Sequence, residues 1–224
     1  MGRKLFLAIT IAGLMGFMVI SAQANLIQNG SFEDPSSYLI PNPPGYVTLY
    51  SGSIDITGWI VSGSIDWIQK YWDAQDGNRS IDLNGYYPGQ VTMGTSFDTI
   101  PGSIYTVSFY LSGNFDGGTQ DKRSLQVQII QNGPMITKNF DFSKPADWNH
   151  NNMGWQLISF NFKAIGNSAN LALVSLETRQ NNLAYGPVVD NVSVNVVPLP
   201  GSALLLGSGL VGLGLLGFRR RGKL

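Results

Sequence analysis

Between residues 25 and 196 apolar side chains recur at every second position in run after run, and over no three turns of that stretch do they follow the spacing of a helix. The chain is therefore confined to strands. Tyr105, Val107, Phe109 and Leu111 alternate with Thr106, Ser108, Tyr110 and Ser112, the pattern of a strand with one face buried. Ile158, Phe160 and Phe162 repeat it, as do Leu125, Val127 and Ile129, and Val192, Val194 and Val196. Shorter candidates are Tyr46 to Tyr50, Trp59 to Ser62, Ile65 to Gln69, Ser80 to Leu83, Gln90 to Phe97, Met135 to Phe142 and Leu171 to Leu176. Turn formers at Asn84-Gly85, Pro101-Gly102, Gly117-Gly118 and Asn132-Gly133-Pro134 separate these runs. An echo, Ser51-Gly52-Ser53-Ile54-Asp55 and Ser62-Gly63-Ser64-Ile65-Asp66, reads as two neighbouring strand-turn units, too few for a solenoid. The expected fold is all-β, an antiparallel jelly-roll β-sandwich of roughly eight to ten strands.

This stretch has to stand on its packing. It contains no cysteine, which excludes a disulfide framework, a thiolate metal site and a cysteine nucleophile. Its 172 residues suffice for one domain with a sizeable core. Six of the fourteen basic residues lie outside it, so the neutral whole-chain charge conceals eight Lys and Arg against fourteen Asp and Glu, a net charge of −6. Such a surface is a poor partner for nucleic acid, whose phosphates are held mainly by Lys and Arg. The one histidine, His150, sits in the polar run Asp147 to Asn152 without a nucleophile motif, and reads as a solvated loop residue.

Both ends carry addresses. Arg3 and Lys4, the apolar run Leu5 to Ile20, and Ala22-Gln23-Ala24 have the three parts of a secretory signal peptide, residues 1–24, cleaved by signal peptidase after Ala24. At the other end, 197–224, Val197-Pro198-Leu199-Pro200 precedes an uncharged run, 201–218, and then Arg219-Arg220-Arg221. As a helix the run spans about 27 Å, enough for a thin bilayer. The arginines favour the cytoplasmic side, which places 25–196 beyond the inner membrane.

The Val-Pro-x-Pro element, apolar helix and terminal arginines resemble the PEP-CTERM sorting signal of exported bacterial proteins, with Leu199 where the commonest form has Glu. That resemblance implies processing by an exosortase-type membrane transpeptidase and delivery to the cell surface or extracellular matrix; a plain transmembrane anchor is the simpler alternative. Within 25–196, Asn25 to Glu33, Gly58-Trp59, Asp76 to Gly85, Pro101-Gly102, Tyr105 to Gly113 and Val189 to Val194 occur in an order that resembles the choice-of-anchor C family. They are similar also to plant cell-wall proteins of galactose-binding-like fold. In related carbohydrate-binding modules the two ends of the domain hold a structural calcium, and the resemblance implies Glu33 and Asp190 as its side-chain ligands here. The alternative is that both carboxylates accept backbone hydrogen bonds.

Asp73 to Asn78 and Asn114 to Asp121 look like calcium loops but lack the Asp-x-Asp-x-Asp-Gly spacing, and read as hydrated turns. Trp59, Trp67 and Trp155 are expected in the core between the sheets. Tyr71, Trp72, Tyr86, Tyr87 and Trp148 lie near turn residues and are the candidates for stacking on sugar rings. The expected function is a non-enzymatic exported surface or matrix protein that binds exopolysaccharide. The alternatives are a glycoside hydrolase or lyase, which needs two carboxylates in a cleft, and an adhesion module that binds protein.

Overall fold

The computed structural model describes residues 24–36, 45–117, 122–178 and 184–198. The signal peptide through Gln23, the sorting signal from Leu199 including Arg219, Arg220 and Arg221, and residues 118–121 of the second acidic loop lie outside them. Among the described residues no helix is long and apolar enough to cross a membrane.

Among the described residues twelve strands follow one another: β1 (Tyr46–Tyr50), β2 (Trp59–Ser62), β3 (Ser64–Gln69), β4 (Arg79–Asp82), β5 (Gln90–Met93), β6 (Phe97–Asp98), β7 (Ile104–Gly113), β8 (Lys122–Gln131), β9 (Ile136–Ser143), β10 (Gln156–Lys163), β11 (Ser168–Ser175) and β12 (Pro187–Val196). The sequence pattern undercounts them slightly because the expected strand Gln90 to Phe97 is cut at Gly94, whose N–H turns to Gly58. All pairings are antiparallel. One sheet has the order β1-β3-β4-β12-β7-β10 and the other β2-β5-β11-β8-β9, with β6 against β11. Consecutive strands often sit in opposite sheets, as the jelly-roll reading requires.

The alternating residues close the space between the sheets. Ile65, Trp67, Ile81, Val107, Phe109, Leu111 and Val189 from the first meet Val91, Leu125, Val127, Ile129, Leu171 and Leu173 from the second, all without exposed surface. Trp59 and Trp67 fill this core as expected, their indole N–H groups bonded to the carbonyls of Asn29 and Phe32 at 3.0 Å each. Trp155 does not. It is half-buried on the opposite face of the first sheet, with its N–H on the Asp73 carbonyl at 3.1 Å.

The two ends of the domain are stitched together. Leu26 donates to the Val194 carbonyl, Val192 to Gly30, and Val194 to the Asn25 side chain. Opposite them β12 bulges between Asp190 and Ser193, with Asn191 in the left-handed region at φ 50°. The two copies of the serine-glycine echo are direct partners: Gly63 N–H donates to Ser51 Oγ at 2.7 Å.

Candidate functional site

Strand register puts polar residues in rows on the outer face of the first sheet. Thr48, Asp66, Asp82, Val188 and Ser112 are successive cross-strand partners over β1, β3, β4, β12 and β7. Two carboxylates therefore stand directly opposite each other, at the Cβ separation of about 4.5–5.5 Å usual for such pairs, where like charges repel. Asp82 is sealed: its oxygens accept from Asn84 N (2.8 Å), Gly186 N (2.9 Å) and Asn114 Nδ2 (2.6 Å), and burial, with the field of Asp66, pushes its carboxyl well above the ordinary range. Asp66 is 9% exposed; burial raises it to about 6 although Thr48 Oγ1 donates to its Oδ1 at 2.5 Å.

The loops that follow β3 and precede β10 cover part of this face. Trp72 and Met153 pack on Ile68 and Val188 in a small second core, and Tyr46, Tyr71 and Trp155 border it. Trp72 donates its indole N–H to Ser80 Oγ at 2.9 Å, and Ser112 Oγ donates to the Met153 carbonyl. What stays open is a cleft of about 240 Å³ lined by Tyr46, Ile68, Tyr71, Trp72 and Tyr185, with Asp66, Asn114 and Asp116 as its polar groups. At its rim Tyr71 donates its hydroxyl to Asp116 Oδ2 at 2.7 Å, and His150 Nε2 lies 3.1 Å from Oδ1. The hydrogen bond to Asp116 pushes the Tyr71 phenol up to about 12. The His150 ring also packs at 4.8 Å from Tyr71 and 5.1 Å from Phe115, so this partly exposed loop residue also joins three loops.

Of the residues expected to stack on sugars, Tyr71 and Trp72 line the cleft, Trp72 with little surface left to offer. Tyr86 is 73% exposed and packs edge-on against half-buried Tyr87. Trp148 is a correction: it is buried against Phe142 and Phe115 as part of the main core, because Asn114-Phe115 folds over it, and no sugar reaches it. Asp66 enters the sequence pattern only as the end of the serine-glycine echo and Asp116 only within a calcium-like turn, and neither they nor Tyr46 and Tyr185 are expected in a sugar site. Alternation of Tyr46 and Thr48 against Val47 and Leu49 was the one signal that placed any of them on this face.

Glu33 and Asp190 converge from opposite ends of the domain on one loop. Asp190 Oδ2 accepts from Gln75 and Asp76 N–H at 2.8 and 2.9 Å and Oδ1 from Asn191 at 2.6 Å; Glu33 Oε1 accepts from Asn78 and Arg79 at 2.7 and 2.6 Å. Burial raises Asp190 to about 7 against the pull of these amides, and among the described residues no Lys or Arg pairs with it. A calcium ion takes six to eight oxygens. The two carboxylates offer at most four, three of them already accepting N–H groups, and no cluster of three acidic or histidine side chains exists among the described residues. Backbone carbonyls must supply the remainder of any metal shell here.

The family described as "Protein of unknown function (DUF642)" matches residues 25–195. The chain belongs to the DUF642 family. A relative of this DUF642 chain, Halomucin from Haloquadratum walsbyi (strain DSM 16790 / HBSQ001), is 34% identical over 190 residues. That match takes in 84% of this chain but 2% of Halomucin, so the chain spans a small fraction of its relative's length. Among solved structures, TmCBM61 in complex with β-1,4-galactotriose is similar with a TM-score of 0.50 at 12% identity, over 78% of this chain and 99% of its own. The CBM22-1 xylan-binding domain from Paenibacillus barcinonensis Xyn10C gives 0.41 at 14% identity, over 67% and 91%. The likeness to TmCBM61 is one of fold: the DUF642 domain is an antiparallel β-sandwich similar to it.

Proposed function

We propose that this DUF642 protein is a non-catalytic, sugar-binding surface or matrix protein whose cleft on the first sheet takes a glycan. The observation that carries the proposal is the cleft itself, in which tyrosine rings border a few convergent polar groups, the composition of a saccharide site. The fold shared with TmCBM61, which was solved with a galactotriose, supports it. Direct binding tests it. Oligosaccharides titrated into the full chain should change tryptophan fluorescence, and Tyr71→Ala should weaken the binding by about tenfold, roughly 1.4 kcal/mol. A flat response across neutral, amino and acidic glycans would leave the domain a structural role.

The glycoside-active alternative needs two carboxylates open to one glycosidic bond. Asp66 and Asp82 are close enough in register, yet Asp82 has no exposed surface and spends its oxygens on three internal donors. No observation favours the adhesion module over the glycan reading.

Export, the PEP-CTERM signal, processing by an exosortase-type transpeptidase and the choice-of-anchor C resemblance belong to the same proposal and rest on the sequence ends and motifs. Mass spectrometry of the C-terminus from the native host tests the processing: cleavage near 198–200 supports it and an intact Leu224 in most molecules counts against it. A structural calcium on Glu33 and Asp190 is proposed as well. Its support is a buried carboxylate, Asp190, that has no cationic side chain paired with it among the described residues.

A further inference from the structure

The cleft is unusual in its charge. Two acids, Asp66 and Asp116, line it, and among the described residues no Lys or Arg does. Asp116 spends one oxygen on Tyr71 and the other on His150. Asp66 is different. It is nine-tenths buried, only its Oδ1 is bonded, to Thr48, and its Oδ2 meets no donor among the described residues. Beside it on the neighbouring strand lies Asp82, a second carboxyl group that no solvent reaches.

A buried carboxylate is costly to ionise unless something positive or strongly hydrogen-bonding arrives. A neutral sugar hydroxyl brings one donor. An ammonium brings three donors and a full charge, and charge-assisted bonds are about twice as strong as neutral ones. A hard metal ion would need six to eight oxygens, and tyrosine walls do not supply them. Aromatic faces do suit an organic cation, through attraction to the ring quadrupole. The volume, about 240 Å³, is below the roughly 300–1,000 Å³ of drug-sized sites and accommodates a single ring better than a long segment. Outside the cleft, the net charge of −6 over residues 25–196 draws a polycation in and repels an acidic glycan.

We propose that the cleft selects a glycan carrying free primary amines, a β-linked glucosamine polymer being the simplest, with an ammonium on Asp66 Oδ2 and the sugar ring against Tyr71 and Tyr185. The inference rests on the sugar-binding reading above and narrows it to one ligand class. N-acetylation then abolishes the key contact, since it removes the charge and two of the donors.

Calorimetric titration of the full chain at neutral pH and low salt decides it, using oligomers of glucosamine, their fully N-acetylated forms, neutral β-1,4-linked glucose oligomers and an oligouronate. The glucosamine oligomer should bind at least about tenfold more tightly than the N-acetylated and neutral ones, and the oligouronate should not bind. Asp66→Asn should bring the glucosamine oligomer down to the level of the neutral one, whereas Asp66→Glu retains part of the preference. Equal affinity of the unsubstituted protein for amine and N-acetyl forms overturns the inference and leaves sugar binding intact. Preference for the oligouronate overturns it too. Binding of none of the four removes the sugar-binding reading along with it. Because the comparison between ligands is made on the unaltered chain, a variant that fails to fold does not blur the outcome.

Discussion

Gly186 shows how tightly single residues are fixed around the buried acid. A Cβ placed there would lie 2.5 Å from Asp82 Oδ1 and 2.7 Å from both Asn84 N and its Oδ1, contacts not easily relieved because Asp82 Oδ1 is held by two backbone amides and its Oδ2 by Asn114. Gly186→Ala should therefore destabilise the protein by roughly 1–3 kcal/mol, read as a lower denaturation midpoint in urea with an unchanged slope. Asn29 is an example of the opposite kind, a residue whose side chain makes the fit. Held at φ 51°, it donates to the carbonyls of Asp34 and Thr57 and accepts from Asp34 N–H, while its own carbonyl takes the indole of Trp59. Two of the motifs on which the family resemblance was built, Asn25 to Glu33 and Gly58-Trp59, are thus neighbours in space. Asn29→Ala leaves three polar groups without this partner and should cost on the order of 2–3 kcal/mol by the same measurement.

The loop after β3 is organised by other elements rather than by itself. Its amides at 75, 76, 78 and 79 are held by carboxylates from the first and last segments of the domain, and its Trp72 seals the small outer core. Glu33→Gln should leave the sheets in place yet speed hydrogen exchange at Asn78 and Arg79 by about tenfold or more, since a charge-assisted bond to two amides becomes a neutral one. Unchanged protection at both would show that Glu33 does not hold the loop. This dependence also explains what the sequence could and could not tell. Strands such as Ile104–Gly113 declare themselves because their alternation is local. Asp66 and Asp82 do not, because only register makes them partners, and register follows from the whole sheet. Trp155 was placed in the wrong core because period-two patterning separates the two faces of a strand but does not reveal that the outer face carries an apolar cluster of its own. Trp148 looked exposed among polar neighbours, and is covered by Phe115 from a loop over thirty positions earlier.

For the molecule as a whole, three buried carboxylates set the response to pH. Asp66 is raised to about 6, Asp190 to about 7 and Asp82 well above its ordinary value of 3.8, each chiefly by burial. The folded state therefore binds protons that the unfolded chain has already released above pH 3.8. The stability contributed by these groups is present at low pH and is lost as pH rises through about 6 and then about 7. In the presence of chelator the melting temperature should accordingly fall between pH 5 and 8. Calcium on Glu33 and Asp190 favours the ionised carboxylate, so the stabilisation it adds should grow across the same interval and flatten the curve. Asp190→Asn should erase both the fall attributable to that group and the effect of calcium, leaving the part due to Asp66 and Asp82. Scanning calorimetry of the full chain at pH 5, 6, 7 and 8, with calcium and with chelator, separates the cases. Curves that coincide at pH 8 would remove the metal from the domain's ends while leaving the buried acids as the source of the slope. A melting temperature that climbs from pH 5 to 8 in chelator would mean that these carboxylates are ionised in the fold, compensated by something other than the donors now seen around them.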